Sequence, residues 1–282
     1  MKDEKEDPNP FPLKKFEYGL NFGAYFANKY AANFYNGTPG NVNNVDYVMK
    51  NQNPPTWYRE IQQLLGLSQT DSVGVQSDRY GNGYPTNMHY SVAFSGGLFM
   101  RINFNRKNSI FLQANYAQLK AGDAIILQVN PNNTYLSFPD LRSEQVIGRE
   151  GRVMIDLGYQ RSFPLKSRIN LFIQAGLTMC YTQVIKSIFV VEGKEYSMVN
   201  IYGSQGYQQG YNQQTMTVNQ NAFGFGGYLG VGAGIPLTAA FGLEPGFFAH
   251  YYPTNLEHYP DFKPSFGLYL RILIHFGATD DE

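Results

Sequence analysis

The chain of 282 residues holds one cysteine and one tryptophan, carries no net charge, and is only 16% charged. The single thiol, Cys180, excludes an internal disulfide, so cysteine usage says nothing of redox compartment. With 22 basic side chains set against 22 acidic ones there is no basic stripe to neutralise phosphates, which excludes nucleic acid as a partner. No window reaches eighteen consecutive apolar residues, so no helix is expected to cross a bilayer. The opening MKDEKEDPNP is acidic and punctuated by proline. It lacks the basic start and apolar run of a secretory signal, and Met1 reads as an initiator placed on a mature sequence. What is plentiful is unusual: 22 Tyr, 21 Phe and 29 Gly, an aromatic and glycine excess foreign to an ordinary soluble enzyme.

That excess is ordered with period two. In YSVAFSGGLFMRINF (90–104), Tyr90, Val92, Phe94, Leu98, Met100, Ile102 and Phe104 alternate with Ser91, Ala93, Ser95, Phe99, Arg101 and Asn103. This is a strand with one oily face and one small or polar face, long beside the five or so residues usual in soluble sheets. The same pattern runs from Tyr18 to Phe26, Ile110 to Tyr116, Val153 to Phe163, Ile169 to Tyr181, Phe223 to Ile235, Phe241 to Tyr251 and Phe266 to Phe276. The short connections are 105–108, 164–168 and 236–239; the long ones are roughly 31–88, 121–150, 183–221 and 252–264. Eight strands with tight turns at one end and long loops at the other describe an all-β, antiparallel, up-and-down transmembrane β-barrel with long extracellular loops.

A soluble eight-stranded barrel with its oily face inward fails on volume. About forty large apolar side chains cannot fit inside eight strands, and the remaining face has too few charges for water. Turned the other way, the oily face meets lipid. The aromatics sort by strand end, as interfacial girdles require. Tyr90, Tyr116, Tyr181 and Tyr251 fall at the loop end; Tyr18, Phe104, Phe163, Phe241 and Phe276 fall at the turn end.

The closing strand FGLYLRILIHF, with its aromatic last member, looks like the C-terminal signal by which outer-membrane proteins are recognised for insertion. The span 16–277 resembles the eight-stranded outer-membrane β-barrel proteins of the Bacteroidota, a group that includes barrels attached to type IX secretion. The resemblance implies the outer membrane of a Gram-negative bacterium, contact with its lipids, and other envelope proteins as partners. Residues 1–15 form a periplasmic tail, 16–277 the barrel, and 278–282 an acidic extension.

Inward positions carry Arg101, Arg152, Asp156, Glu244, Arg271 and His275. Glu244 and Arg271 are expected as sheet neighbours, with Arg101 at the same depth across the lumen. Charges so confined must pair. In the first long loop, NPPTWYREIQQLLG predicts a short helix, with Pro54 in its first turn and Gly66 at its C′ position. Its apolar side chains Trp57, Ile61, Leu64 and Leu65 meet either the loop's own packing, a partner, or the membrane surface. AIILQV (124–129) and TYLSF (134–138) are candidates for a hairpin extension, SIFVV (187–191) lies in the third loop, and a Gly/Gln/Tyr-rich stretch follows it.

For catalysis the best constellation is His89, His250 and Ser91, and it is weak. Glu257, His258 and Asp261 are too loose for a metal site, and no cofactor is expected. The sequence supports a non-enzymatic accessory subunit of an envelope complex for secretion, outer-membrane assembly or uptake. A narrow solute pore is the alternative, and a lipid-modifying enzyme the third reading.

Overall fold

The computed structural model describes residues 14–49, 56–78, 81–130, 140–165, 169–198, 220–257, 259–260 and 262–274. Eight strands form the barrel: β1 (Phe16–Phe26), β2 (Ala93–Asn105), β3 (Asn108–Asn130), β4 (Asp140–Pro164), β5 (Asn170–Val191), β6 (Asn221–Pro236), β7 (Phe241–Pro253) and β8 (Phe262–Ile274). Each pairs antiparallel with the next. The ring closes because Tyr18 on β1 lies opposite both Met100 on β2 and Ile274 on β8. Closure leaves the membrane-crossing strands no free edge, as a bilayer interior demands.

The period-two pattern sets the two faces. Phe94, Leu98, Leu177 and Leu229 are 64–73% exposed on the outer wall, whereas Phe99, Thr178 and Tyr228 are buried inside. The interior is filled with rings, including Phe99, Phe111, Phe172, Tyr228, Phe248 and Tyr269. Eight strands leave little space for them, and glycine supplies it. A Cβ on Gly267 would stand 2.2 Å from the Phe248 ring. Part of the glycine excess is thus the counterpart of the aromatic one.

Three strands far outrun the membrane. β3, β4 and β5 have 23, 25 and 22 residues, where a tilted crossing takes about ten. The sequence reading of 121–150 and 183–221 as loops is therefore corrected: AIILQV belongs to β3 and SIFVV to β5. The TYLSF segment lies outside the described residues; AIILQV pairs instead with 140–145 of β4. The physical reason is that the apolar residues move from the outward face to the inward one. On β3 the apolar side chains at 110, 112 and 116 face out, while Leu119, Ala121, Ile125, Leu127 and Val129 face in and are buried. Lipid covers the first set and protein the second.

The cover comes from the first long loop. The predicted helix is present at Thr56–Leu64, stopped by Gly66 at φ +72°, a conformation that suits glycine at C′. Ile61 and Leu65 are buried against Ile125, Leu127, Val129, Val146, Phe189 and Val191. Edge strands Ser72–Val75 on β3 and Lys194–Ser197 on β5 widen this canopy.

Candidate functional site

The barrel presents two candidate sites, its lumen and its canopy. In the lower lumen two arginines and two carboxylates interlock. Arg101 donates from Nε to Glu17 Oε2 at 2.7 Å and from Nη1 to Glu244 Oε1 at 2.8 Å. Arg271 donates from Nη1 to Glu244 Oε2 at 2.7 Å, from Nε to Asn21 Oδ1 at 2.9 Å, and from Nη2 to Gln113 Oε1 at 2.9 Å. Arg101, Glu244 and Arg271 thus meet at one depth of the lumen. The Arg271 guanidinium also lies 3.4 Å from the centroid of the Phe99 ring.

Gln113 links this tier to the next. Its Nε2 donates to Asp156 Oδ2 at 2.8 Å, and the other Asp156 oxygen meets His250 Nε2 at 2.9 Å. Beside them Tyr228 donates to Gln174 Oε1 and Gln174 to Gln160 Oε1. At the mouth, Arg152 Nε donates to Glu150 Oε1 at 2.6 Å. Two phenols complete the Glu150 shell, Tyr35 at 2.5 Å and Tyr90 at 3.0 Å. Tyr35 descends from the first loop, and a Cβ on Gly148 would strike its ring at 2.1 Å. Burial and the adjacent Glu150 hold the Tyr35 phenol well above its usual pKa. Phe34, Met88 and Leu256 lie in the same buried cluster at this end of the barrel.

Arg152, Asp156, Glu150 and Arg271 are wholly buried. Charges in such a site persist because each has a hydrogen-bonded partner, since an unpaired one costs several kcal/mol. The arrangement is a plug of cross-linked side chains that fills the lumen. His275 lies outside the described residues.

Sequence reasoning missed Glu17 and Glu150. Glu17 has the inward parity of Gly19 and Asn21 but precedes the first apolar residue used to start β1. Glu150 has the parity of Arg152 but fell in a segment read as loop. Asn21 and Gln113 were placed inward without being recognised as the connectors between ion pairs.

Two placements need correction. Tyr90 belongs to no outer girdle: it pairs with buried Ala121 and turns its hydroxyl to Glu150, because residues 91 and 92 break the strand before β2 begins. His89 pairs with Gly122 and is exposed, while His250 is sealed in the lumen with Asp156. The two histidines with Ser91 therefore share no accessible site. Of the other described girdle candidates, Tyr18, Phe104, Tyr116, Phe163, Phe241 and Tyr251 are exposed, and the Tyr181 ring meets Phe223 at 4.8 Å. Phe276, His258 and Asp261 lie outside the described residues, as does the Gly/Gln/Tyr-rich stretch.

On the canopy, Ile61 and Leu65 are not free to meet a partner, because they form the canopy's own core. Trp57 packs half-buried at its margin, and Leu64 is exposed. The helix is tied down by an ion pair from Lys194 to Glu60. Gln62 Nε2 donates to the Asp71 carbonyl at 2.6 Å, and the Val73 amide to Tyr58 Oη at 3.1 Å.

No protein-family model and no curated protein matches the chain. Among solved structures, it is similar to Neisserial surface protein A, with 11% identity, TM-score 0.40, and 93% of this chain and 97% of that one covered. It is similar to the outer membrane protein OprG from Pseudomonas aeruginosa, with 12% identity, TM-score 0.38, and 95% and 96% covered. A third is Ail, the attachment invasion locus protein of Yersinia pestis, with 8% identity, TM-score 0.33, and 93% and 98% covered. Likeness of that order leaves the architecture to rest on this chain's own strand register and apolar belt, which are those of an eight-stranded transmembrane β-barrel of the outer-membrane type.

Proposed function

We propose that the protein is a closed, non-catalytic outer-membrane barrel serving as an accessory subunit of a cell-envelope complex, with its extracellular canopy as the docking element. The observation that carries this reading is the canopy itself. Strands β3 to β5 continue roughly 40 Å past the Tyr116 level, and they hold a separate buried core under the Thr56–Leu64 helix. A bare anchor needs none of this, and long ordered connections tend to be functional. The plugged lumen supports the same reading over a solute pore. A secretion, assembly or uptake complex is the partner class implied by the resemblance to Bacteroidota barrels.

Gentle extraction in nonionic detergent, followed by identification of co-purifying envelope proteins, tests the proposal. The partner should be lost with Leu64→Asp and Trp57→Ala, while the barrel stays folded. A monodisperse lone monomer from native membranes, or retention of the same partner by both variants, overturns it. In planar bilayers the protein should pass no ionic current.

A further inference from the structure

The outer wall of β3, β4 and β5 is layered by register. Tyr116, Val153 and Tyr181 stand in one row, continued by Phe223 on β6. One outward step higher come Gln118, Gly151, Gln183 and Asn221, all uncharged. The next step is Lys120, Arg149 and Lys186, directly paired across three strands.

Strict alternation from Tyr181 and Gln183 would point Lys186 into the barrel. A bulge prevents this: Glu150 pairs with Val184 and Arg149 with Lys186, so Ile185 is the extra residue and the parity of β5 flips. Bulges serve to re-aim a side chain in this way. Lys120 and Arg149 are exposed and Lys186 is half-exposed. The row meets one carboxylate among the described residues, Glu195, 2.7 Å from Lys186 at its end. Exposed His89 flanks the Lys120 end, paired with Gly122 on β3.

Like charges directly opposite on an antiparallel pair repel, so a three-residue cationic row calls for an external counter-charge. Its height says which. Four residues above the aromatic row is about 13 Å along a strand and about 10 Å along the membrane normal at the tilt of such barrels. That level is the headgroup layer, just beyond the hydrocarbon. A guanidinium fork between two ammonium groups matches phosphate oxygens.

We propose that Lys120, Arg149 and Lys186 form a binding row for the phosphate groups of an anionic lipid headgroup in the outer leaflet. The inference rests on the membrane placement of the barrel and is independent of any canopy partner. It is tested by native mass spectrometry of the full chain in nonionic detergent, titrated with a bis-phosphorylated glycolipid, its dephosphorylated form, and inorganic phosphate. The triple variant Lys120→Gln, Arg149→Gln, Lys186→Gln should bind the phosphorylated glycolipid at least tenfold more weakly. A control triple at the turn end, Lys15→Gln, Arg106→Gln, Lys107→Gln, should bind like the parent. Glu195→Gln should tighten binding by releasing Lys186. Equal binding by the row variant, equal binding of the dephosphorylated lipid, or displacement by millimolar inorganic phosphate overturns the proposal. Insertion of the parent into phosphatidylcholine vesicles is scored separately: its failure sinks the membrane placement, whereas insertion without headgroup preference sinks the binding row alone.

Discussion

Replacing Glu244 by Gln puts the lumen plug to a quantitative test. Glu244 gives one oxygen to Arg101 at 2.8 Å and the other to Arg271 at 2.7 Å. With it, the lower tier holds two guanidinium groups against two carboxylates; without it, one positive charge is left in a nearly water-free lumen. Removing one partner of a buried ion pair costs about 3–5 kcal/mol. Service to two arginines argues for the upper end of that range. Against it, Gln keeps an acceptor oxygen, Arg101 retains Glu17, and Arg271 retains Asn21 and Gln113. The expected loss is about 3 kcal/mol, roughly a hundredfold in the folded ratio. Adding Arg271→Gln restores neutrality, so the double variant should be more stable than the sum of the singles by about 1–2 kcal/mol. Reversible urea unfolding from phosphatidylcholine vesicles, followed by circular dichroism, measures all three. A Glu244→Gln loss below about 0.5 kcal/mol, or strict additivity in the cycle, would refute the reasoning.

Other consequences follow from the same geometry. Gly267→Ala forces a methyl against the Phe248 ring and the Ala24 carbonyl and should cost about 1–3 kcal/mol; Phe248→Leu in that background should recover part of it in the same unfolding assay. Leu98→Lys places a charge at mid-belt and should cost about 2–4 kcal/mol, against about 0–1 for Tyr116→Lys at the interface; equal costs would contradict the depth assignment. Ile61→Asp should open the canopy to protease while the barrel keeps its heat-resistant fold, read by limited proteolysis and gel migration. For Tyr35, the folded-state pKa is raised above the unfolded value, so its share of stability is intact below about pH 10 and is lost as pH rises through the folded pKa. Tyr35→Phe should remove that part of the alkaline slope in protease protection of the first loop.

Most of the barrel was legible because lipid and lumen impose opposite demands on adjacent residues. Leu98 and Phe99 are neighbours in sequence, yet one is 66% exposed and the other 3%, and period two alone separates them. The Arg101–Glu244–Arg271 cluster was legible for the same reason, since strand direction and parity fix depth. The canopy was not. Above Tyr116 the large apolar residues on β3 move from the even, outward positions to the odd, inward ones, which hold the buried residues along the whole strand, so a search for one continuous oily face ends the strand where the membrane ends. Glu150 was lost with that segment, and Glu17 with the arbitrary start at Tyr18. Tyr90 was misplaced because its apolar ring fits the alternation while its hydroxyl answers to Glu150, a long-range partner that no local pattern encodes. The burial of Ile61 and Leu65 likewise depends on strands more than sixty residues further along the chain.

Collision accessibility of spin labels in reconstituted vesicles tests the orientation of the faces most directly. Labels at Phe94, Leu98, Leu177 and Leu229 should be reached by oxygen dissolved in the acyl layer and shielded from a water-soluble nickel chelate. Labels at Gln183 and Lys120 should respond mainly to the chelate. Uniform protection of the first four positions from both reagents would mean that these side chains lie within protein, and the assignment of the belt to lipid would be wrong.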